Sequence, residues 1–451
     1  MPTFYLETLG CAKNEVDSDV MATSLQRSGY TQIDDPQQAD ILIVNTCAFL
    51  SAAVDESLDC IFSLYDRKQE KSPLVVAGCL PSRYKSHLKD QLSEVSLFIP
   101  ASKEANIVAY CDELLHNSAL KDRSLEDKAI SCAPSVHSHQ ELGTPTDHLR
   151  SFHKSYAFVK IAEGCDRFCS FCAIPLIRGR FVSRTKKDIM SEIITLAQHG
   201  TKECVLVAQD PLSWGRERGE SYAELVRALD EAVAPYHIWL RGLYLFPDDL
   251  SDEIIEAFAA ARSFVPYFDI PIQHVSKHIL EAMHRRPHTP EFFAQKIASI
   301  REKLPDAAIR TTALVGFPGE TQQDVDELAS FMREIKPDYL SVFSYSQEEG
   351  TAAAQFASQI SSEVKREREQ RFIDLSEELG FAAAQKRVGS VADVLLDAYD
   401  EDEDKLVGHA WFQAPDTDGV VYLPQHSAKV GERVSAKLID SVCYDFEGER
   451  I

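Results

Sequence analysis

Three cysteines stand close together near the middle of the chain, in the segment Cys165-Asp-Arg-Phe-Cys169-Ser-Phe-Cys172. Thiolates are soft ligands that suit zinc or iron–sulfur clusters. A cubane cluster has one ligand position per iron, so three cysteines would leave one iron open, as a catalytic metal requires. A structural zinc would need a fourth ligand; His153 could serve, and zinc stays open as the lesser alternative.

Three further cysteines are far apart in sequence but occupy equivalent positions. Cys11, Cys47 and Cys79 each come directly after a predicted strand. The carboxyl ends of parallel strands share one edge of a sheet, where ligands bind, so these cysteines should converge. Gly10 and Gly78 would let the backbone approach closely at that edge. The alternative is three buried cysteines without a metal.

The elements that must position these cysteines alternate between strand and helix. Residues 1–115 predict a parallel α/β sandwich, and residues 151–385 predict a partial (β/α)6 barrel from six strand–helix units. Residues 116–150, rich in Ser, His, Asp and Pro, predict a linker. Residues 386–451 carry short strands and turns, which predict a small all-β barrel. The fold class is therefore α/β with a C-terminal all-β module.

The composition narrows the class of protein further. The chain has 451 residues, 47 basic and 71 acidic, for a net charge of −24. No apolar run approaches the ~18 residues of a membrane span, and the start lacks a secretion signal, so we expect a cytoplasmic protein without membrane association. In a reducing compartment the 11 cysteines are available to metals. The acidic surface favours a basic partner over nucleic acid.

The two groups of cysteines together resemble those of the radical S-adenosylmethionine (SAM) methylthiotransferase family. The C-x3-C-x2-C spacing, with aromatic Phe171 before the last cysteine, is the hallmark of radical SAM enzymes. The family's T-x-G-C-x-x-N, N-T-C and G-C patterns appear at residues 8–14, 45–47 and 78–79. Further matches are Ile174-Pro175, Arg178-Gly179, Ser183-Arg184 and residues 315–321.

The resemblance implies two 4Fe–4S clusters, each held by three cysteines. One SAM molecule would donate a methyl group to sulfur, and another would be cleaved to a 5′-deoxyadenosyl radical that abstracts hydrogen from the substrate. No catalytic residue beyond the cluster ligands is predicted, and an electron donor such as flavodoxin is implied. The implied metal ligands are Cys11, Cys47, Cys79, Cys165, Cys169 and Cys172.

Residues at the carboxyl ends of the central strands are expected to line the SAM site. Gln209, Gly316 and Gly319 are predicted to bind this cofactor, the two glycines through close approach of the backbone. An ordinary strand–helix turn is the alternative for the glycines. The same argument places four more residues at these ends: Asp210, Gln273, His274 and Arg310.

Members of this family modify either adenosine in transfer RNA or an aspartate on a small-subunit ribosomal protein. Residues 390–451 resemble the TRAM recognition domain and contain fourteen acidic and five basic residues. Since RNA binding needs Lys and Arg against phosphates, direct RNA binding by this module is not expected. A basic small-subunit ribosomal protein fits an acidic module better, as partner and substrate.

The sequence therefore predicts a methylthiotransferase that replaces the β C–H of an aspartate on such a protein. The local sequences 414–423 and 444–446 also resemble the ribosomal-protein branch of the family. A transfer RNA methylthiotransferase is the main alternative. A non-catalytic iron–sulfur redox protein is the other, although fully cysteine-ligated clusters would fit that role better than two three-cysteine sites.

Overall fold

A computed structural model describes residues 1–85, 87–116 and 155–451 of the chain. The predicted linker over 116–150, apart from its first residue, lies outside the described residues. So does His153, the candidate fourth ligand of a zinc site. The outcome of those two expectations is therefore open.

The chain divides into two compact units. The first consists of the N-terminal region together with residues 163–166 and 172–182, and the second contains the rest of the described chain. Cys165 and Cys172 therefore group with the first unit, and Cys169 groups with the second.

The first unit is an α/β sandwich, as predicted. Within its described residues the strands are β1 (Thr3–Thr8), β2 (Thr31–Gln32), β3 (Ile41–Thr46), β4 (Leu74–Gly78) and β5 (Leu97–Pro100). The helices are α1 (Ala12–Arg27), α2 (Ser51–Arg67), α3 (Cys79–Tyr84), α4 (His87–Gln91), α5 (Ile107–His116) and α6 (Ile174–Ile177). The strands pair in parallel in the order β2-β1-β3-β4-β5.

Strand β3 lies at the centre of this sheet and is buried along its whole length. Successive side chains of a strand point to opposite faces. Accordingly Leu42 packs in the cluster that contains Ile61 of α2, while Ile43 packs in the cluster that contains Leu25 of α1. Burial on both faces fixes the carboxyl end of β3, and with it the residue that follows.

The second unit begins with a set of parallel strands. The two-residue strands β7 (Ala162–Glu163) and β8 (Val182–Ser183) pair with each other, and each lies on a boundary between the units. The longer central strands of the second unit are β6 (Tyr156–Lys160), β9 (Glu203–Val207), β10 (Trp239–Gly242), β11 (Tyr267–Gln273), β12 (Ala308–Val315) and β13 (Tyr339–Ser344). They form two parallel sheets, β10-β9-β6 and β11-β12-β13. A backbone hydrogen bond of 2.9 Å from Val265 to the carbonyl of Leu240 joins the neighbouring segments. This arrangement confirms the partial (β/α)6 barrel.

Helices alternate with these strands, as a barrel of this type requires. They are α7 (Lys186–Gln198), α8 (Tyr222–Val233), α9 (Asp252–Ala260), α10 (Lys277–Ala282), α11 (Pro290–Lys303), α12 (Gln322–Ile335) and α13 (Ser362–Arg387). None of the described helices is long and apolar enough to cross a lipid bilayer.

The C-terminal part of the second unit is the predicted small all-β barrel. Its strands are β14 (Val391–Asp400), β15 (Lys405–Ala410), β16 (Val421–Pro424), β17 (Arg433–Val442) and β18 (Asp445–Arg450). They close in the order β14-β15-β16-β18-β17, with β16 and β18 parallel and the other pairs antiparallel. Closure leaves no free strand edge.

A buried polar network joins this small barrel to the amino ends of the central strands. Glu203, the first residue of β9, accepts hydrogen bonds from Arg241 Nε and from His409 Nε2, both at 2.6 Å. His409 Nδ1 lies 2.6 Å from Asp397, and Arg241 also donates to the carbonyl of Trp411 at 3.0 Å. Buried charges are tolerated only when they are paired in this way. The network is centred on Glu203 at the amino end of β9.

Arg310 belongs to this network, so the expectation that it lies at a carboxyl end is wrong. It is the third residue of β12, and its Nε lies 3.3 Å from Asp418. Asp418 is buried and also accepts a hydrogen bond from the hydroxyl of Tyr267. Arg310 therefore neutralises a buried carboxylate of the small barrel instead of facing the cofactors.

The His409 contacts predict a pH-dependent stability. Burial alone would lower the pKa of His409, but Glu203 and Asp397 outweigh it and raise this pKa to about 9, above the ordinary 6.5. Protonated His409 thus stabilises the folded chain fully below about pH 6.5, and the contribution is lost as pH rises through about 9. Substitution His409→Gln should lower the free energy of unfolding at pH 6.5, and this deficit should shrink towards pH 9.5, measured by urea denaturation.

The exposed histidine of the same barrel provides the control. Substitution His426→Gln should leave the free energy of unfolding within about 0.5 kcal/mol of the parent at every pH, as is usual for surface positions. A deficit for His409→Gln that does not change with pH would show that the histidine acts through packing alone.

Candidate metal centres

The three N-terminal cysteines meet at one edge of the first sheet, as their positions predicted. Cys11 precedes α1, Cys47 follows β3 directly, and Cys79 begins α3 after β4. Cys47 and Cys79 are buried and Cys11 is exposed. Burial is the main cause that raises the pKa of the Cys47 and Cys79 thiols, and a charge on Cys11 would raise both further.

Gly10 allows the first two cysteine-bearing turns to approach. Its φ is +102°, a left-handed conformation that glycine adopts without strain. A Cβ atom built on Gly10 would lie 2.7 Å from Cβ and 3.1 Å from Sγ of Cys47. Any larger residue would push Cys47 out of place, so this position requires glycine for the reason that the sequence suggested.

The side chain of Asn14 connects all three turns. Its amide nitrogen donates to the carbonyl of Leu9 at 2.8 Å and to the carbonyl of Thr46 at 2.9 Å. Its amide oxygen lies 3.6 Å from Sγ of Cys79, and its backbone carbonyl accepts from Asn45 at 2.9 Å. One buried amide therefore fixes the turns that carry Cys11, Cys47 and Cys79.

Arg178 adds a buried cation to the same group. Its Nη1 lies 2.8 Å from Asp17, and its Nη2 lies 2.5 Å from the amide oxygen of Asn14 and 3.3 Å from Sγ of Cys79. All these residues belong to the first unit. The sequence marked Arg178 only as part of a family motif. Nothing local could show that it reaches a cysteine 99 residues away.

The charges around these thiols suit ligands that must ionise. Although the residue Cys11 is exposed, desolvation of its thiol by the surrounding protein opposes ionisation; Lys13, a backbone amide and Arg178 outweigh this and lower the pKa of the thiol. Burial raises the pKa of Cys79 to about 11, against the effect of Arg178. Metal ligands of this type bind as thiolates, and two neighbouring cations would offset their negative charge. The residues present therefore fit a cluster held by three cysteines.

The central cysteines lie in the segment between β7 and α6. In the first unit, the backbone N–H of Cys165 donates to the carbonyl of Gly179 at 3.2 Å. In the second unit, burial raises the pKa of Cys169, while Arg285 and Arg167 lower it. Cys172 is half-buried. Cys165 is thus held by a backbone hydrogen bond in the first unit, and Cys169 has two cationic neighbours in the second.

Arg167, inside the cysteine motif, has a role that the sequence did not suggest. It forms two hydrogen bonds of 2.8 Å with the carboxylate of Asp210, which follows β9. Its guanidinium lies over the ring of Phe246 at 3.8 Å, and that of Arg285 lies over the same ring at 4.2 Å. Bidentate and stacked arginines are held rigidly. The segment with Cys169 is therefore anchored at the carboxyl end of β9.

The predicted SAM-binding residues lie at the carboxyl ends of central strands. Gln209 follows β9, and Gly316 and Gly319 follow β12. Gly316 has φ +73°, and a Cβ on it would lie 2.7 Å from the side chain of Lys365, so packing against α13 already requires glycine there. Binding of SAM by these three residues stays a prediction.

Within the ranges that the structure describes, no three Cys, His, Asp or Glu side chains surround a single point as ligands of one metal ion would. A cubane cluster differs, because each iron takes its own cysteine and the ligands stand apart. The fit of the N-terminal cysteines to a cluster rests on their meeting at one edge, with Lys13 and Arg178 beside them.

Models of three protein families match successive parts of the chain. Residues 3–100 match the uncharacterized protein family UPF0004, residues 159–332 match the radical SAM superfamily, and residues 388–451 match the TRAM domain. The second and third matches confirm the predicted radical SAM barrel and TRAM-like module.

Similar curated proteins cover almost the whole chain. The ribosomal protein uS12 methylthiotransferase RimO of Desulfotalea psychrophila is 38% identical over 449 residues, which are 99% of this chain and 98% of that protein. RimO of Bdellovibrio bacteriovorus is 37% identical over 452 residues, covering 98% and 96%. This chain belongs to the RimO family. It is a radical SAM methylthiotransferase, and SAM and two 4Fe–4S clusters are its cofactors, as the sequence predicted.

Solved structures agree with the fold of a RimO-family chain. The radical SAM methyltransferase TsrM from Kitasatospora setae has a TM-score of 0.58 at 14% identity, covering 76% of this chain and 73% of that one. The cobalamin-dependent SAM radical enzyme OxsB has a TM-score of 0.52 at 12% identity, covering 84% and 56%. At such low identity the likeness supports the fold and nothing finer.

The ligand set makes a prediction about iron content. After anaerobic reconstitution the protein should hold about eight irons per chain, the sum of two cubane clusters. Substitution Cys47→Ala should reduce this to about four, because one cluster loses a ligand while the other keeps its own. Iron and acid-labile sulfide analysis measures the change.

A cysteine of the same unit that is not a predicted ligand gives the control. Cys60 lies on α2, so Cys60→Ala should retain the iron content of the parent. Full iron in the Cys47→Ala variant would remove Cys47 from the ligand set.

Proposed function

We propose that this RimO-family enzyme transfers a methylthio group to the β-carbon of an aspartate on ribosomal protein uS12. Its curated relatives are named for that protein substrate. When bound, SAM and the clusters supply radical chemistry that opens an unactivated C–H bond, and the protein supplies orientation and exclusion of water. The structural observation that carries the choice of a basic protein is an acidic turn on the TRAM barrel.

The acidic tip consists of Glu401, Asp402 and Glu403, in the turn between β14 and β15. Backbone N–H groups of Asp402 and Glu403 donate to the carboxylate of Asp400 at 3.0 and 3.1 Å, which folds the turn on itself. The hydroxyl of Tyr399 donates to the carboxylate of Asp404 and closes its other end. The three residues of the tip are exposed. They concentrate negative charge at a fixed place.

The structure also shows which acids of this barrel are unavailable for recognition. Asp418 is buried against Arg310, and Asp397 bonds to His409, so both serve the internal network. Exposed acids still outnumber the exposed bases of the barrel. The exposed acids are Asp393, Glu401, Asp402, Glu403, Asp404, Asp416, Glu432, Asp440 and Glu449, and the exposed bases are Lys429, Arg433, Lys437 and Arg450. Such a surface attracts a basic protein and repels RNA phosphates.

We further propose that the two SAM-dependent steps are divided between the two groups of cysteines. One SAM molecule would serve as methyl donor for sulfur at the N-terminal cluster, and another as radical source at the central cluster, with electrons from a reductant such as flavodoxin. Two separate three-cysteine groups support this division. Since ribosomal proteins are the substrate class, the enzyme would act in the cytoplasm.

The first test of this function is the mass of the product. The reconstituted enzyme, given SAM, a reductant, sulfide as sulfur source and uS12, should add about 46 Da to one aspartate, a covalent replacement of H by CH3S. Cys169→Ala should stop release of 5′-deoxyadenosine and of product. Cys47→Ala should release 5′-deoxyadenosine but make no methylthio product. Tandem mass spectrometry locates the mark, and chromatography measures 5′-deoxyadenosine.

Transfer RNA serves as the competing substrate in the same assay. A methylthio mark on adenosine, with uS12 unmodified, would overturn the choice of substrate and leave the radical chemistry standing. Full methylthio product from Cys47→Ala would refute the proposed division of labour.

The acidic tip makes a prediction about association with the substrate. Reversing Glu401, Asp402 and Glu403 to Lys should slow association with uS12 roughly tenfold or more at low salt, because exposed charges act mainly on the rate of encounter. The effect should fade above physiological salt, where charges are screened beyond about 8 Å. Asp400 and Asp404 are kept, so the turn retains its internal bonds. Stopped-flow or surface plasmon resonance measures the rate.

A matched reversal controls for total charge. Glu302, Asp306 and Glu334 are exposed acids of the second unit near the amino end of β12 and far from the acidic tip in sequence. Reversing them to Lys should change the association rate much less. Equal effects of both triple variants would mean that net charge, and not the tip, attracts the substrate.

A further inference from the structure

Arg178 lies beside a predicted cluster ligand without being one. Its side chain is buried, and it sits six positions after Cys172, at the end of α6. Ala173, which precedes that helix, and Ile177, its last residue, pack in the hydrophobic cluster of the first unit, which also contains Cys79. The backbone that carries Arg178 is therefore held in place by the core beneath the N-terminal cysteines.

The two ends of the guanidinium have different partners. Nη1 is held by Asp17 at 2.8 Å, with Glu163 at 3.5 Å. This leaves Nη2 directed at the amide oxygen of Asn14, at 2.5 Å, and at Sγ of Cys79, at 3.3 Å. Arginine is always protonated and donates in a fixed fork. Asp17 and Glu163 therefore aim a permanent cationic donor at the cysteine sulfur.

Hydrogen bonds to the ligand sulfurs and the net charge around a cluster are the main protein controls on its reduction potential. A donor that is itself charged forms a stronger bond than a neutral donor. Arg178 would therefore draw electron density from the Cys79 thiolate and favour the reduced form of a cluster bound there.

We propose that Arg178 is a positioning residue of the N-terminal cluster, which raises the reduction potential of that cluster through a hydrogen bond to the sulfur of Cys79. The proposal rests on the three-cysteine ligand set given above. The competing explanation is that Arg178 only neutralises Asp17 within the core, in which case the properties of the cluster would not depend on it.

The experiment isolates the N-terminal cluster in the full chain. The reference variant, called the parent in this subsection, carries Ala in place of Cys165, Cys169 and Cys172. Any cubane that it binds therefore reports on the N-terminal cysteines, at about four irons per chain. In this background Arg178→Gln and Arg178→Lys are compared by iron content and by redox titration monitored by electron paramagnetic resonance. Electron–nuclear double resonance of the reduced cluster then reports exchangeable protons near sulfur.

We expect Arg178→Gln to shift the midpoint potential to a more negative value and to remove one strongly coupled exchangeable proton. Arg178→Lys keeps the charge but loses the fork, so its shift should be smaller. Because Arg178→Gln removes the ion pair between Arg178 and buried Asp17, it is combined with Asp17→Asn, which removes that charge and isolates the effect on the cluster. Arg180, two residues away, pairs with Asp166 at the surface, and Arg180→Gln should match the parent.

Two outcomes separate the failure of this proposal from failure of the ligand set. A parent that binds no iron would overturn the three-cysteine ligand set, and this proposal with it. A parent with four irons whose folded Arg178→Gln, Asp17→Asn variant keeps the parental potential and proton coupling would overturn the role of Arg178 alone.

Discussion

The buried amide of Asn14 is the constraint on which the N-terminal site depends. The three cysteine-bearing turns come from strands that are neighbours in the sheet, but turns at strand ends are not held by the sheet ladder itself. Asn14 supplies that missing support through the carbonyls of Leu9 and Thr46. Leaving a buried polar group unpaired costs about 1–3 kcal/mol, so the turns cannot separate without loss. The positions of the sulfurs thus follow from a hydrogen-bonding requirement.

In the second unit the corresponding constraint is the pairing of buried charges on the central strands. Glu203 at the amino end of β9 and Arg241 within β10 are buried charges that would be costly to bury alone. The small barrel provides His409, which bonds to Glu203, and Asp418, which pairs with Arg310. The partners are paired across the two parts of one unit, so the TRAM barrel completes the core of the radical SAM region. The carboxyl ends are left to Arg167, Asp210 and the cysteine segment.

Much of the fold and of the ligand set could be predicted because the signals are local. Strand periodicity located β3 and β4, and each of Cys47 and Cys79 stands directly after its strand. Contacts between distant segments could not be predicted. Arg178 meets Cys79 across 99 residues, and Arg167 meets Asp210 across 43. Periodicity carries no information about such pairs.

The charge count of the TRAM module shows the same limit. Composition treats every acid alike, although Asp397 and Asp418 are taken up by internal ion pairs. The expectation for Arg310 was wrong because β12 continues from Arg310 to Val315, so that Arg310 lies near the amino end and away from the ligand edge. Only the paired carboxylate of Asp418 explains its position.

In the turn between β14 and β15, the residues that hold the turn in shape differ from the residues that expose negative charge. Asp400 and Tyr399 make the bonds that shape it, while Glu401, Asp402 and Glu403 contribute only their backbone and their exposed side chains. Mutations at those three positions therefore carry little penalty for folding. A lineage whose ribosomal partner changed its surface charge could follow that change here, one residue at a time, while the iron–sulfur chemistry stayed untouched.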